Sequence, residues 1–294
     1  MAKLQNKVDF ALVFRVAKAN PNGDPLNGNR PRIDYDGFGE VTDVCIKRKI
    51  RDRLLERWVA NGKKDDGNMI FVQSDDRKED EYRNLRARAE AGLGAKLGSS
   101  ETTELACKKW FDVRAFGQLF ALKSKSPKKK KGEQNEEEDT GISVGIRGPV
   151  SVQSAFSVEP VSQVITSTQI TKSVSSESDD GKRGSDTMGM KHRVDRGVYV
   201  FYGSMNPQLA ERTGFRDADA ETIKQVLPRL FENDASSARP EGSMEVLKVI
   251  WWKHNCKAGQ YSSAKVHRTL TVKPDGGYEL ANFPDLKPEE LGGF

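Results

Sequence analysis

The chain has 294 residues, 48 of them basic and 43 acidic, for a formal net charge of +5. Hydrophobic residues make up 36%, about 45% once the 26 glycines are added, which suits a folded body and excludes a wholly disordered chain. Cys45, Cys107 and Cys256 form no CxxC pair, and no apolar run approaches the roughly 20 residues that span a bilayer, so a disulfide framework, a zinc knuckle and a membrane protein are all disfavoured.

The amino terminus leads directly into a candidate strand without a signal-peptide pattern, and a reducing, cytoplasmic setting is expected. Val8, Phe10, Leu12, Phe14 and Val16 recur with a period of two, which predicts a half-buried strand. Asn20-Pro21-Asn22-Gly23-Asp24-Pro25 ends it, and Asn27 to Arg32 prolong the loop with added positive charge. A helix follows, with Thr42 as N-cap, Asp43 favourable at its start, and a buried stripe of Ile46, Ile50, Leu54 and Trp58. Lys47 and Arg51 flank one edge of that stripe and Lys49, Arg53 and Arg57 the other, so Lys47 and Arg51 should be removable at little cost to stability.

Ile70-Phe71-Val72 reads as a short strand, followed by a charged helical stretch, and Trp110 to Gly117 as a buried segment. Residues 128–139 are a lysine run followed by an acidic run with no means of packing, and read as a solvated loop. Gly145 to Pro149 open a strand in which Val152, Phe156 and Val158 alternate with Gln153, Ala155 and Ser157. Residues 162–186 are polar with an early β-branched part, which suits a two-stranded arm with a mobile tip. Val198 to Tyr202 reads as a central strand. Ile223, Val226, Leu227, Leu230 and Phe231 mark a second helix that Pro228 should kink or end. Met244 to Trp252 is the final strand expected. Strand, helix, strands, helix, strand is the β-α-β-β-α-β plan of ferredoxin-like, RNA-recognition-motif-like modules, an α+β fold.

No catalytic constellation stands out. His192, His254 and His267 have no metal-binding spacing, no GxxxxGK[ST] loop occurs, and no acidic pair suggests a metal. No cofactor and no metal site are expected. His192, within the basic Met190-Lys191-His192-Arg193, reads as an RNA-contacting or exposed residue, and Asp24 as a turn residue. Arg196 to Tyr202 begins like an RNP1 strand but has Val198 and Val200 where base-stacking aromatics belong. The helix start, with Lys47, Arg48 and Arg51, reads equally as a phosphate site or as a solvated helix.

Several stretches together resemble one family. They are the Asn20-Pro21-Asn22-Gly23-Asp24-Pro25 loop, Thr42 to Arg51, Asp112-Val113-Arg114-Ala115-Phe116-Gly117, Gly148-Pro149-Val150 with Gln153-Ser154, Leu230 to Ala235, and Gly242 to Val246. In that order they resemble the backbone subunit of type I CRISPR Cascade complexes, in the repeat-associated protein superfamily and its subtype C branch. The resemblance implies a non-catalytic subunit with a ferredoxin-like palm (residues 1–60, 110–160 and 190–255), a finger insertion (65–109), a charged loop (123–140) and a β-hairpin thumb (162–190). It implies stacking of copies head to tail along a CRISPR guide RNA, alongside other Cascade subunits, with the guide held for pairing with a target DNA strand. The implied RNA contacts are Asn20, Arg30, Thr42, Lys47, Arg48, Arg51, Gln153 and Ser154, with Met188, Met190, Lys191 and His192 on or beside the thumb. Two rival functions remain, a repeat-associated endoribonuclease using Asp24 and a free-standing single-strand RNA-binding protein.

Overall fold

The first strand, β1 (Val8–Ala19), is more deeply buried than its alternation suggests. Phe10, Leu12, Phe14 and Val16 face the main core, while Ala11 and Val13 face a second buried layer. The expected half-buried strand is thus corrected: water reaches neither face along most of it. The computed structural model describes residues 2–122, 142–161, 164–172, 186–281 and 283–294. The charge run at 128–139 and the arm's tip fall outside them.

After β1 the loop forms a small ribbon, β2 (Gly23–Asp24) on β3 (Arg30–Pro31), then β4 (Phe38–Val41) and α1 (Asp43–Ala60). The Thr42 side chain accepts from the Cys45 N–H, and Ile46, Ile50, Leu54 and Trp58 are buried as their spacing predicts. Next come α2 (Leu85–Leu93), α3 (Thr102–Lys109), α4 (Phe111–Phe116) and the hairpin β5 (Gly117–Leu122) with β6 (Ile142–Arg147). These enclose a smaller core of Phe71, Ala89, Leu93, Cys107, Trp110, Val113, Phe120 and Ile146. Ile70 to Val72 do not form the expected strand. The amides of Phe71 and Val72 donate to the two Asp112 carboxylate oxygens (2.7 and 3.0 Å), so a side chain takes the place of a ladder partner.

β7 (Val150–Val152) and β8 (Ala155–Pro160) are separate strands, with Gln153 and Ser154 between them. The break reverses the expected facing: Ala155 and Ser157 are buried and Phe156 is exposed. In a period-two element a one-residue shift of phase, here Val152 and Ala155 both buried three positions apart, sends every later side chain to the opposite face. β9 (Val164–Lys172) pairs with the first part of β10 (Asp186–Met205) to make the two-stranded arm. The rest of β10 enters the main sheet beside β1, and the Val198 to Tyr202 run is central there.

α5 (Pro207–Thr213) and α6 (Asp217–Val226) follow, and α6 gives way to a 3-10 turn over Leu227–Arg229, at Pro228. β11 (Met244–Lys253) pairs with β1, but it is not the last element. α7 (Ser263–His267), β12 (Leu270–Val272), β13 (Tyr278–Leu280) and β14 (Glu289–Gly292) continue the chain. These pieces are too short for a periodicity to register.

The main sheet has the antiparallel order β14-β11-β1-β10-β8-β4. Apolar side chains of α1 and α6 share the core on one of its faces. Val266, Leu270 and Leu286 cover the other, packing on Val13, Val198, Ile250 and Trp252. That cover is clasped to the sheet by Asp9, a fully buried carboxylate that accepts from His254 Nε2 at 2.9 Å, with Lys7 Nζ at 3.3 Å. Burial works to raise the Asp9 pKa, but hydrogen bonds from His254 and Ser263 and the Lys7 charge outweigh it and hold the carboxyl below its usual range.

Candidate nucleic-acid interface

Three segments meet at the start of α1. Asn22 Oδ1 accepts from both the backbone N–H and the hydroxyl of Thr42, each at 2.9 Å, so the loop after β1 is tied to the N-cap. Val41 pairs with Ala155 in the β4–β8 ladder, which brings Thr42 alongside Ser154. Gln153 is exposed beside it, its N–H donating to the Tyr202 carbonyl at 2.9 Å. Thr42, Gln153 and Ser154 therefore lie together. Lys47, half-buried one turn into α1, donates to Asp43 at 2.9 Å. An acid thus shares the helix start with the lysine, and weakens its pull on a phosphate.

Arg48 and Arg51 do not lie free on this surface. Arg48 forms ion pairs with Asp52 and with Asp234 (3.0 Å to the latter), and the fully buried Lys49 pairs with the same Asp234. Arg239 completes the set at 3.1 Å. Burial alone would raise the Asp234 pKa, but Lys49, Arg239 and Arg48 overcome it and bring the carboxyl down to about 2. Burial depresses the Lys49 ammonium more than Asp234 restores it. Arg51 Nε donates to Asp112 at 2.9 Å, and its guanidinium lies 5.0 Å from the Phe116 ring centre. Since Asp112 also holds the Phe71 and Val72 amides, Arg51 is part of the scaffold, and the expectation that it could be removed at little cost is corrected.

Arg114, in the same stretch, is buried and forms a two-pronged pair with Asp219, 2.9 Å on each arm, while donating to the carbonyls of Gly67 and Cys107. The sequence-marked residues Asp112, Arg114 and Asp234 are therefore the struts that join α1, α4, α6 and the loop after α6. Asp24 is engaged as well: it accepts from the Leu26 N–H at 3.2 Å, capping a 3-10 turn over Pro25–Asn27, and lies 3.4 Å from Arg32.

Asn20 is buried, donating through Nδ2 to the Asn29 carbonyl at 2.7 Å, next to the exposed Arg30. β3, which carries Arg30, packs against β10, so this loop bridges the α1 start and β10. On the arm Met188 and Met190 are 80% and 69% exposed on one face, and Ile170, paired with Met188, extends that apolar patch. The sequence reading placed Ile170 in the β-branched part of the arm but gave it no role, since the mostly polar β9 segment does not mark an apolar face. Lys191 is half-buried. His192 corrects the expectation of an exposed residue: it is buried, with Nδ1 at 2.8 Å from the Thr166 hydroxyl across the arm.

The family model described as CRISPR-associated protein Cas7 matches residues 6–288. The chain belongs to the CRISPR-associated protein Cas7 family. A relative of that name from Haloferax volcanii is 25% identical over 287 residues, covering 96% of this chain and 79% of the relative. Two chains of solved structures are also similar. One is titled "CRISPR RNA-guided surveillance complex, pre-nicking" (18% identity, TM-score 0.40, 84% of this chain and 75% of that one), the other "CRISPR RNA-guided surveillance complex" (16%, 0.44, 92% and 77%). The Cas7 match takes in the α1 start, the ion-paired struts and the arm alike.

Proposed function

We propose that this chain is the guide-RNA-binding backbone subunit of a type I CRISPR surveillance complex, acting in antiviral defence. The observation that carries the reading is the family match running from residue 6 to residue 288. A ferredoxin-like palm is supported by the antiparallel order β11-β1-β10-β8 with α1 and α6 packed on one face. Residues 65–109 are the fingers and 162–190 the thumb, of which β9 and the first part of β10 form the arm. Thr42, Lys47, Gln153 and Ser154, with Arg30 on the bridging loop, face the RNA backbone, and Met188 and Met190 meet a base. Copies stack head to tail along the guide and leave it open to a target DNA strand, with other subunits of the complex at the ends.

Recognition is of backbone and shape. The sheet face on which RNA-recognition modules stack bases is occupied here by Val266, Leu270 and Leu286. Guides with unrelated spacers should therefore bind within a few-fold of one another, and affinity should fall steeply with salt. Strong preference for one spacer at every salt concentration would overturn this. The chain acts without cleaving RNA, a reading that the engagement of Asp24 with Leu26 and Arg32 supports. Incubating the guide-loaded protein with complementary RNA and Mg²⁺ tests it, and cleavage lost in Asp24→Ala would establish the endonuclease instead. Native mass spectrometry tests assembly. Replacing residues 167–186 with a Gly-Ser turn should leave a folded palm that binds short RNA weakly but loads fewer copies on a full guide.

A further inference from the structure

The cover over the second face of the sheet is strapped to the start of β1 at Lys7. The Lys7 backbone N–H donates to the Cys256 carbonyl (3.1 Å), its carbonyl accepts from the His254 N–H (2.9 Å), and Nζ donates to the Tyr261 carbonyl (3.2 Å). The turn over 254–261 therefore wraps Lys7 before α7 begins. Two of the chain's three histidines meet at Asp9 behind it, and the bonds they make assign their protons.

His254 is 1% exposed. Its Nδ1 accepts from the Gln260 N–H at 2.9 Å, so the ring hydrogen is on Nε2, which donates to Asp9. A second proton can enter only at Nδ1, where it confronts the Gln260 amide and breaks the bond that closes the turn. His267, on α7, stacks on Tyr202 of β10, the ring centres 4.8 Å apart. Its Nε2 lies 3.3 Å from the Gly203 carbonyl and 3.7 Å from Asp9 Oδ1. Donation to that carbonyl leaves Nδ1 bare, and acid adds its charge there. Lys7, 3.3 Å from Asp9, already brings a positive charge to the cluster. On the outer side Asp285 accepts from Gln260 Nε2 and from the Tyr261 hydroxyl.

We infer that this cluster makes the C-terminal cover a proton-sensitive latch: acid loosens residues 254–272 from β1 and β10 and uncovers Val13, Val198, Ile250 and Trp252, while the main core stays closed. The latch does not depend on the guide-RNA reading. Burial holds the His267 imidazole below its usual range, and the Lys7 charge adds to this, against the pull of Asp9 and the Gly203 carbonyl. A histidine lowered in the fold contributes stability that is complete above its ordinary value of 6.5 and is lost as pH falls through the folded value. Asp9 and Asp285 are both held below the ordinary 3.8, so they stay charged between 6.5 and 3.8, and the response in that interval is that of imidazole.

Hydrogen exchange of the full chain, followed by mass spectrometry from about pH 7.5 to about pH 3.5, tests this. Peptides of α1 serve as the internal reference for the intrinsic pH dependence of exchange. Protection of residues 254–272 relative to α1 should fall about tenfold or more, with its midpoint between 6.5 and 3.8. His267→Gln can still donate to the Gly203 carbonyl but cannot titrate, and its cover should stay protected across that interval. A relative protection that is constant, or that falls only below 3.8, would overturn the latch, as would a His267→Gln cover as acid-sensitive as wild type. Should His267→Gln not fold, the imidazole resonance of His267 in wild type decides the matter. Its titration must coincide with the loss of protection, and separate midpoints would remove His267 from the latch and the latch with it.

Discussion

The cations of α1 and those where β1 and β10 meet the arm are the same residue types in opposite surroundings. Arg48, Lys49 and Arg51 are turned toward Asp52, Asp234 and Asp112, and their charge is matched by carboxylates of the same fold. Lys18, Arg30 and Arg196 are exposed and, among the described residues, form no ion pair, although Asp195 lies beside Arg196 and opposite Lys18. Burying an ion pair costs desolvation on both sides, so each member becomes indispensable to the other, whereas an unpaired surface cation costs the fold little and remains available to an anion. Positive charge in the sequence is thus no guide to binding until its acidic partners are known.

The sharpest way to test that contrast is Arg114→Ala. It strands the buried Asp219 and two carbonyls, and stability in urea should drop by about 3–5 kcal/mol, with RNA affinity per folded molecule unaltered. Asp234→Asn should cost on the order of 2 kcal/mol at neutral pH. Because the Asp234 pKa is depressed to about 2 in the fold, its contribution is complete above the ordinary carboxylate value of 3.8 and is lost as pH falls through about 2. Wild type should accordingly weaken more steeply than Asp234→Asn between those values, as acid titration of the unfolding midpoint will reveal; parallel profiles would dismiss the ion-pair hub. Arg51→Ala should cost about 1–2 kcal/mol, since Asp112 keeps two amide donors, and should leave the salt slope of RNA binding untouched. Smallest in stability is Lys47→Ala, within about 0.5 kcal/mol, because its pair with Asp43 is a partly exposed contact between successive turns of one helix. Here the readout is binding: a salt slope lower by about 0.7 places a phosphate at the α1 start, and an unchanged slope removes Lys47 from the interface.

Much of this arrangement was legible in the chain. The α1 stripe, the Thr42 cap and the break at Pro228 follow from local spacing, and each recurs in the structure as read. What was hidden depends on distant partners. Lys49 sits between Ile46 and Ile50 like an edge residue, and only Asp234, 185 positions away, explains its burial. The same holds for β1, whose outer face is covered by residues far along the chain that carry no periodic signal of their own. Phe156 was misplaced because nothing in Gln153-Ser154 announces that the strand ends there and restarts. Of the proposed RNA contacts, Thr42, Gln153 and Ser154 lie together, whereas Arg48 and Arg51 look like binding residues in sequence and act as struts in the fold.

The strand β10 spans 20 residues, about 65 Å at a usual rise per residue, and belongs to the arm at one end and to the centre of the sheet at the other. On this side no loop separates the two, so the arm is a cantilever with its root clamped between β1 and β8. A load on Met188 or Met190 is borne along continuous backbone into the middle of the sheet, and the direction in which the arm points is inherited from the palm.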